Sequence, residues 1–258
     1  METKDPKQPK ELKILPMPVD TETRDLKVER LDKRLFGHPF RSVMVASSGG
    51  GKSSFLYTLI SSPDMYKDFF DKILVWNGSP RYNDQFKKIK NVEVYNKFDE
   101  EQIKNIVDEI RIIQKQRKDD GLRYYRFLLI FDDYSSKGLV NKNSVNIIDD
   151  VFCSGRNAGI SIIITSQVYK HINRNCRMTN VTHLVVMGVN KKMLEEIADE
   201  HQSEFASTDD IVNIYKHIKS ADDYGHLIVD YTRPPKERFR TLNKVYRIED
   251  KKEDGISR

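Results

Sequence analysis

The chain has 258 residues, 38% hydrophobic and 32% charged, with a formal net charge of +5. That suits one or two domains around one good core, and it excludes a collagen-like repeat, a low-complexity polymer and an acidic disordered tail. The only cysteines, Cys153 and Cys176, exclude a disulfide framework, nearly exclude an all-cysteine zinc site and fit a reducing compartment.

The opening stretch METKDPKQPKELK holds no apolar run, so no secretory leader is expected. Without one, the sequons at Asn77 and Asn180 are read as chance. The longest apolar runs, such as Phe127–Phe131, fall far short of the ~20 residues that span a bilayer, so no stable membrane insertion is expected. Residues 1–36 are rich in Lys, Asp, Glu and Pro and read as a flexible charged arm.

Regular patterning starts at Ser42. SVMVA (42–46) is a short apolar strand, followed by a Gly-rich turn and a helix through Phe55, Leu56, Leu59 and Ile60. KILVW (72–76) and VEVY (92–95) are two further strands. Ile103, Ile106, Val107, Ile110 and Ile113 recur at helical spacing and mark one buried face. Asp99 with Gln102 resembles a capping box at the start of that helix. FLLIF (127–131) is apolar throughout, as a strand buried on both faces must be.

A helix around 145–152 comes next, then the buried strands SIIIT (161–165) and HLVVM (183–187). Helices near 191–201 and 209–219 precede a last strand, HLIVDY (226–231). Strands alternating with helices predict an α/β fold with a mainly parallel sheet. The domain is expected to span 37–231. The remainder, 232–258, holds nine Lys/Arg against five Asp/Glu and reads as a basic tail.

The strongest signal is Ala46-Ser47-Ser48-Gly49-Gly50-Gly51-Lys52-Ser53, which ends a strand and opens a helix as a Walker A loop does. Its glycines let backbone N–H groups turn inward around phosphate oxygens, and the helix N-terminus adds positive dipole. Lys52 is placed to reach the β- and γ-phosphates, and Ser53 to put its hydroxyl on Mg²⁺. Ser54 completes the stretch assigned to nucleotide binding. Ala46 stands where the motif has its first glycine.

FLLIFDDY places Asp132 and Asp133 at the C-terminal end of the most apolar strand, the edge where open α/β sheets bind ligands. Asp132 is assigned to the Mg²⁺ shell and Asp133 to orienting or deprotonating water. Related motors usually carry Glu at the second position, and Asp is one methylene shorter. The interval from Lys52 to Asp132 contains two strand candidates, 72–76 and 92–95. It therefore leaves room for a strand between the P-loop strand and the acidic strand, which resembles the additional-strand ATPases that include RecA-like motors. Gln167, just past SIIIT, is a candidate sensor of the γ-phosphate. Arg156, in CSGRNAG, is a candidate finger acting on a neighbouring subunit's nucleotide. Arg174, Arg177 and Arg233 are weaker candidates for that role.

Together VASSGGGKSS, LLIFDDYS, GRNAG and IIITSQ resemble the FtsK/HerA superfamily, and within it the genome-packaging ATPases of poxvirus-type large double-stranded DNA viruses, virophages and related elements. The resemblance covers roughly residues 38–231. It implies a RecA-like core in a homo-oligomeric ring that hydrolyses ATP with Mg²⁺ and drives double-stranded DNA through a central channel into a capsid. It also implies contact with capsid proteins and a place in the host-cell cytoplasm, a viral factory or the virion. Asn157 stands where relatives often carry His. Lys137, Lys142, Lys170, Arg174 and Arg177 are candidates to contact DNA phosphates without reading bases.

Two other classes remain open. A small-molecule P-loop kinase needs an acceptor pocket and a basic lid, and no clear lid is visible. A nucleotide-dependent assembly protein that does not hydrolyse is the second, suggested by the short Asp133. A GTPase is rejected because Asn190-Lys191-Lys192 is followed by Met193, which cannot pair with guanine as a carboxylate does.

Overall fold

The computed structural model describes residues 31–77, 83–135 and 146–248. Its strands are β1 (Arg41–Ala46), β2 (Lys72–Asn77), β3 (Val92–Tyr95), β4 (Phe127–Asp132), β5 (Ile160–Ser166), β6 (His183–Met187), β7 (His226–Asp230), β8 (Phe239–Arg240) and β9 (Val245–Tyr246). The helices are α1 (Lys52–Ser61), α2 (Asn83–Phe86), α3 (Glu100–Asp119), α4 (Ile147–Ser154), α5 (Lys191–His201) and α6 (Thr208–Ala221). The strands form one sheet in the order β3-β2-β4-β5-β1-β6-β7-β8-β9. The first six in that order run parallel, and β7, β8 and β9 each run antiparallel to the strand before.

β1, β4 and β5 are buried along almost their whole length because both sheet faces are covered. On one face, α3 buries Ile103, Val107 and Ile110 beside the inner residues of α4, α5 and α6. On the other, Leu56, Leu59 and Ile60 of α1 pack with Phe36, Phe40, Tyr66 and Phe70. Each such aliphatic side chain contributes about 1.5–3 kcal/mol when fully buried. Asp99 caps α3 by accepting from Gln102 N at 3.1 Å, half of the expected box. The reciprocal box occurs instead at Ser207 and Asp210, which start α6.

An additional strand does separate the P-loop strand from the acidic strand, but it is not one of those in the 52–132 interval. β5 lies between β1 and β4, while β2 and β3 lie beyond β4. Phe36 is fully buried, and Leu35 is buried beside it, so the end of the charged arm packs into the core. The sheet also passes the expected boundary at 231. Arg240 is buried and donates through Nε to Asp230 Oδ2 at 2.8 Å, which fastens β8 to β7.

Candidate active site

The site grows from the turn between β1 and α1. Gly49 and Gly51 adopt φ of 76° and 89°, the left-handed region that favours glycine. Gly50 has another constraint: a Cβ there would meet Ser47 O at 3.0 Å and Met187 O at 3.3 Å. α1 begins at Lys52 with no side-chain cap and no acidic residue in its first turn. Its first N–H groups have no intrahelical partner, so they and the helix dipole favour an anion.

The strand ends bring the acidic groups to this turn. Asp133 has φ 58°, which turns its carboxylate back over the loop. Its Oδ1 accepts from Lys52 Nζ at 3.0 Å and from Gln167 Nε2 at 3.0 Å. Thr165 ties the pair down: its Oγ1 accepts from Asp133 N at 2.9 Å and donates to Asp132 Oδ1 at 2.5 Å. Asp132 is buried and stands in register with Asn77 at the end of β2. Just beyond, Tyr134 is buried, its N–H donating to Thr165 O at 2.8 Å and its hydroxyl accepting from Asn146 Nδ2 at 2.6 Å.

A cavity of ≈ 370 Å³ is lined by Ser47–Ser54, Asn77, Asp132, Asp133, Gln167 and Tyr224. Its size falls within the ~300–1,000 Å³ of small-molecule sites. It combines phosphate-binding backbone, one lysine and two carboxylates, which suits a polyphosphate with its counter-cation. Among the described residues, no group of three or more His, Cys, Asp or Glu could hold a metal by itself.

Ala46 is buried beneath the loop and does not line the cavity. Arg156 also lies outside it, exposed on a short 3-10 turn (Gly155–Ala158) before β5. β5 has seven residues, so roughly 20 Å at ~3.3 Å each separates Arg156 from its own chain's Gln167. Two other arginines are committed elsewhere. Arg177 is buried and donates to both Glu200 oxygens at 2.9 Å and to Ile172 O at 2.7 Å, so it offers nothing to DNA. Arg233 pairs with Asp230 at 3.2 Å. Lys170 pairs with Glu200, Arg174 is exposed, and Lys137 and Lys142 lie outside the described residues. Asn190 caps α5 by accepting from Met193 N at 2.9 Å, which accounts for it without guanine.

Behind Gln167 the chain is anchored by a buried polar cluster. Tyr169 donates to Glu200 Oε2 at 2.7 Å and lies 2.8 Å from His201 Nε2. Burial pushes the Glu200 carboxyl up, but Arg177, Lys170 and Tyr169 outweigh it and hold the pKa down at about 2. Sequence reasoning missed Asn77, Thr165, Gly188 and Tyr224. Gly188 follows β6 with φ 49°, and a Cβ there would lie 2.7 Å from Gly50 Cα. Thr165 stands inside the TSQ strand end already singled out. Gly188 and Tyr224 carry no local motif, and Asn77 carries only the sequon.

The family described as Poxvirus A32 protein matches residues 27–235. DNA packaging protein OPG160 of vaccinia virus (strain Copenhagen) is 27% identical over 203 residues, covering 76% of this chain and 70% of that protein. The genome packaging NTPase B204 of Sulfolobus turreted icosahedral virus 2, solved with AMP, superposes with a TM-score of 0.54 at 14% identity, covering 78% of this chain and 96% of that one. ATPases 2 and 3 of EssC from Geobacillus thermodenitrificans give a TM-score of 0.56 at 13% identity, covering 84% of this chain and 41% of that one. The last two likenesses concern the fold, a RecA-like P-loop α/β sheet. The match over 27–235 takes in the P-loop, both strand-end acids and β5, and the chain belongs to the Poxvirus A32 protein family.

Proposed function

We propose that this protein is an ATPase that drives double-stranded DNA into a viral capsid. The observation that carries the reading is the joint hold of Lys52 and Gln167 on Asp133, 3.0 Å from each, over a glycine-built phosphate loop. Family membership and the vaccinia relative named as a DNA packaging protein support the DNA-packaging half.

ATP would lie with its phosphates on the Gly49–Ser54 backbone and Lys52. Ser53 and Asp132 fit Mg²⁺: one is a hydroxyl at the helix start, the other a buried carboxylate with one oxygen fixed by Thr165. The cation would neutralise charge on the β- and γ-phosphates. Asp133 would orient or deprotonate the attacking water, and Gln167 would report the γ-phosphate. The cavity's lining contains no arginine among the described residues, which favours a cation supplied by a neighbouring copy, with Arg156 at the opposite sheet edge as its source. The working form would be a homo-oligomeric ring, with duplex DNA in its channel, capsid protein at its docking face and a viral factory or host-cell cytoplasm as its place of work. No helix among the described residues is long and apolar enough to cross a membrane.

Displacement of a third strand from a linear duplex tests translocation. The wild type should strip the strand only with ATP and Mg²⁺, and Asp133→Asn should not. Hydrolysis with no displacement, in the presence of the assembled capsid, would overturn the translocation reading.

A further inference from the structure

Tyr224 is 71% exposed, on a turn closed by hydrogen bonds. It sits on the turn between α6 and β7, where Asp222 Oδ1 accepts from its N–H at 2.8 Å and Asp222 O accepts from Gly225 N at 2.8 Å. Gly225 lets the turn lie against the end of α6, since a Cβ there would fall 2.7 Å from Ile218 Cγ2. The turn thereby places the Tyr224 ring beside the P-loop. A Cβ built on Gly51 would lie 3.4 Å from its Cδ1. Among the described residues lining the cavity it is the only aromatic.

Strand order decides which end of a ligand this ring meets. β5, β4 and β2 lie on one side of β1 and carry Gln167, the two aspartates and Asn77. β6 and β7 lie on the other side. Because β7 runs antiparallel, with His226 opposite Met187, the turn before it returns to the same sheet edge as the P-loop. A phosphate chain with its terminal phosphate toward Asp133 and Gln167 therefore points its other end past Ser53 and Ser54 to Tyr224. In a nucleoside triphosphate that other end is the nucleoside.

We propose that Tyr224 is the nucleobase platform of this site, stacking its ring on the base of the bound nucleotide. The proposal rests on the nucleotide reading above. It assigns the base to the β6–β7 side and makes the contact one of ring faces, so the phenol hydroxyl is dispensable.

Calorimetric titration of ATP and of inorganic tripolyphosphate, each with Mg²⁺, tests it on the wild type, Tyr224→Phe, Tyr224→Ala and Lys52→Ala. Tyr224→Ala should weaken ATP about tenfold or more and leave tripolyphosphate unchanged, because stacking acts on the base alone. Tyr224→Phe should bind both as the wild type does. Equal weakening of both ligands by Tyr224→Ala, or no loss of ATP affinity, would overturn the platform. Lys52→Ala should weaken both. If it weakens neither, the nucleotide reading of the loop fails, whatever Tyr224 does.

Discussion

Asp133 reaches Lys52 Nζ at 3.0 Å from a backbone with φ 58°. The left-handed region tolerates Asp several-fold better than most side chains. The turned backbone, rather than the longer arm of a glutamate, delivers the carboxylate to the loop.

Asp133→Glu should therefore be a poor substitute despite its charge. Its carboxylate would be misplaced by about one methylene, and kcat should fall about 10–100-fold. Asp133→Asn keeps the backbone preference and loses the carboxylate, so on the proposed role kcat should fall about 10²–10⁴-fold with nucleotide binding retained. Steady-state kinetics beside equilibrium ATP binding separate the two. A glutamate variant as fast as the wild type would contradict this geometry.

Gly188→Ala should damage the loop from behind. The new methyl would sit 2.7 Å from Gly50 Cα, at a residue with φ 49°, so Gly50 or the end of β6 must move. The expected cost is about 1–3 kcal/mol in stability, with ATP affinity falling further than that loss explains. A thermal melt and an ATP titration on one preparation check both.

The strands that place the site were legible because β4 and β5 are apolar along both faces and end in polar residues. The loop was legible because glycines, a lysine and a serine at fixed spacing have few other uses. What escaped was tertiary. Gly188 matters only because β6 brings it against Gly50, and Tyr224 only because β7 turns back toward the loop. The strand between β1 and β4 comes later in the chain, so spacing alone pointed to the wrong segment. Arg177 looked like a free cation because nothing local announces Glu200. β8 and β9 are two residues each, too short for a period to register.

Those short strands should matter for stability. Asp230 is buried with His183 Nε2 at 3.3 Å and Arg240 Nε at 2.8 Å. Burial raises its pKa, but His183, Thr232 and Arg240 outweigh this and hold it well below the ordinary value. Arg240→Met should cost roughly 3 kcal/mol, the low end for a broken buried pair, because His183 and Arg233 remain. A chain ending at 231 should lose more. Denaturant unfolding of both measures it, and unchanged midpoints would contradict the role given to β8.

Acid should weaken the fold through its buried and half-buried histidines. Burial depresses His38 from 6.5 to about 3, and His201 and His226 from 6.5 to about 4. Between about pH 4 and 6.5 the unfolded chain binds protons that the folded chain refuses, so stability falls as pH drops through that window. Glu200 acts lower: its folded pKa of about 2, against 4.5, gives stability present above about 4.5 and lost as pH falls toward 2. Melting temperature should decline from pH ~7 to ~5. A flat profile would contradict neutral burial of these histidines.

The most direct measurement is steady-state ATP hydrolysis with Mg²⁺, titrated with linear duplex DNA, for the wild type and Lys52→Ala. Hydrolysis should rise with duplex DNA and vanish in Lys52→Ala. Transfer of phosphate to a nucleoside monophosphate with no response to DNA, or turnover that survives the loss of Lys52, would contradict a DNA-driven motor built on this loop.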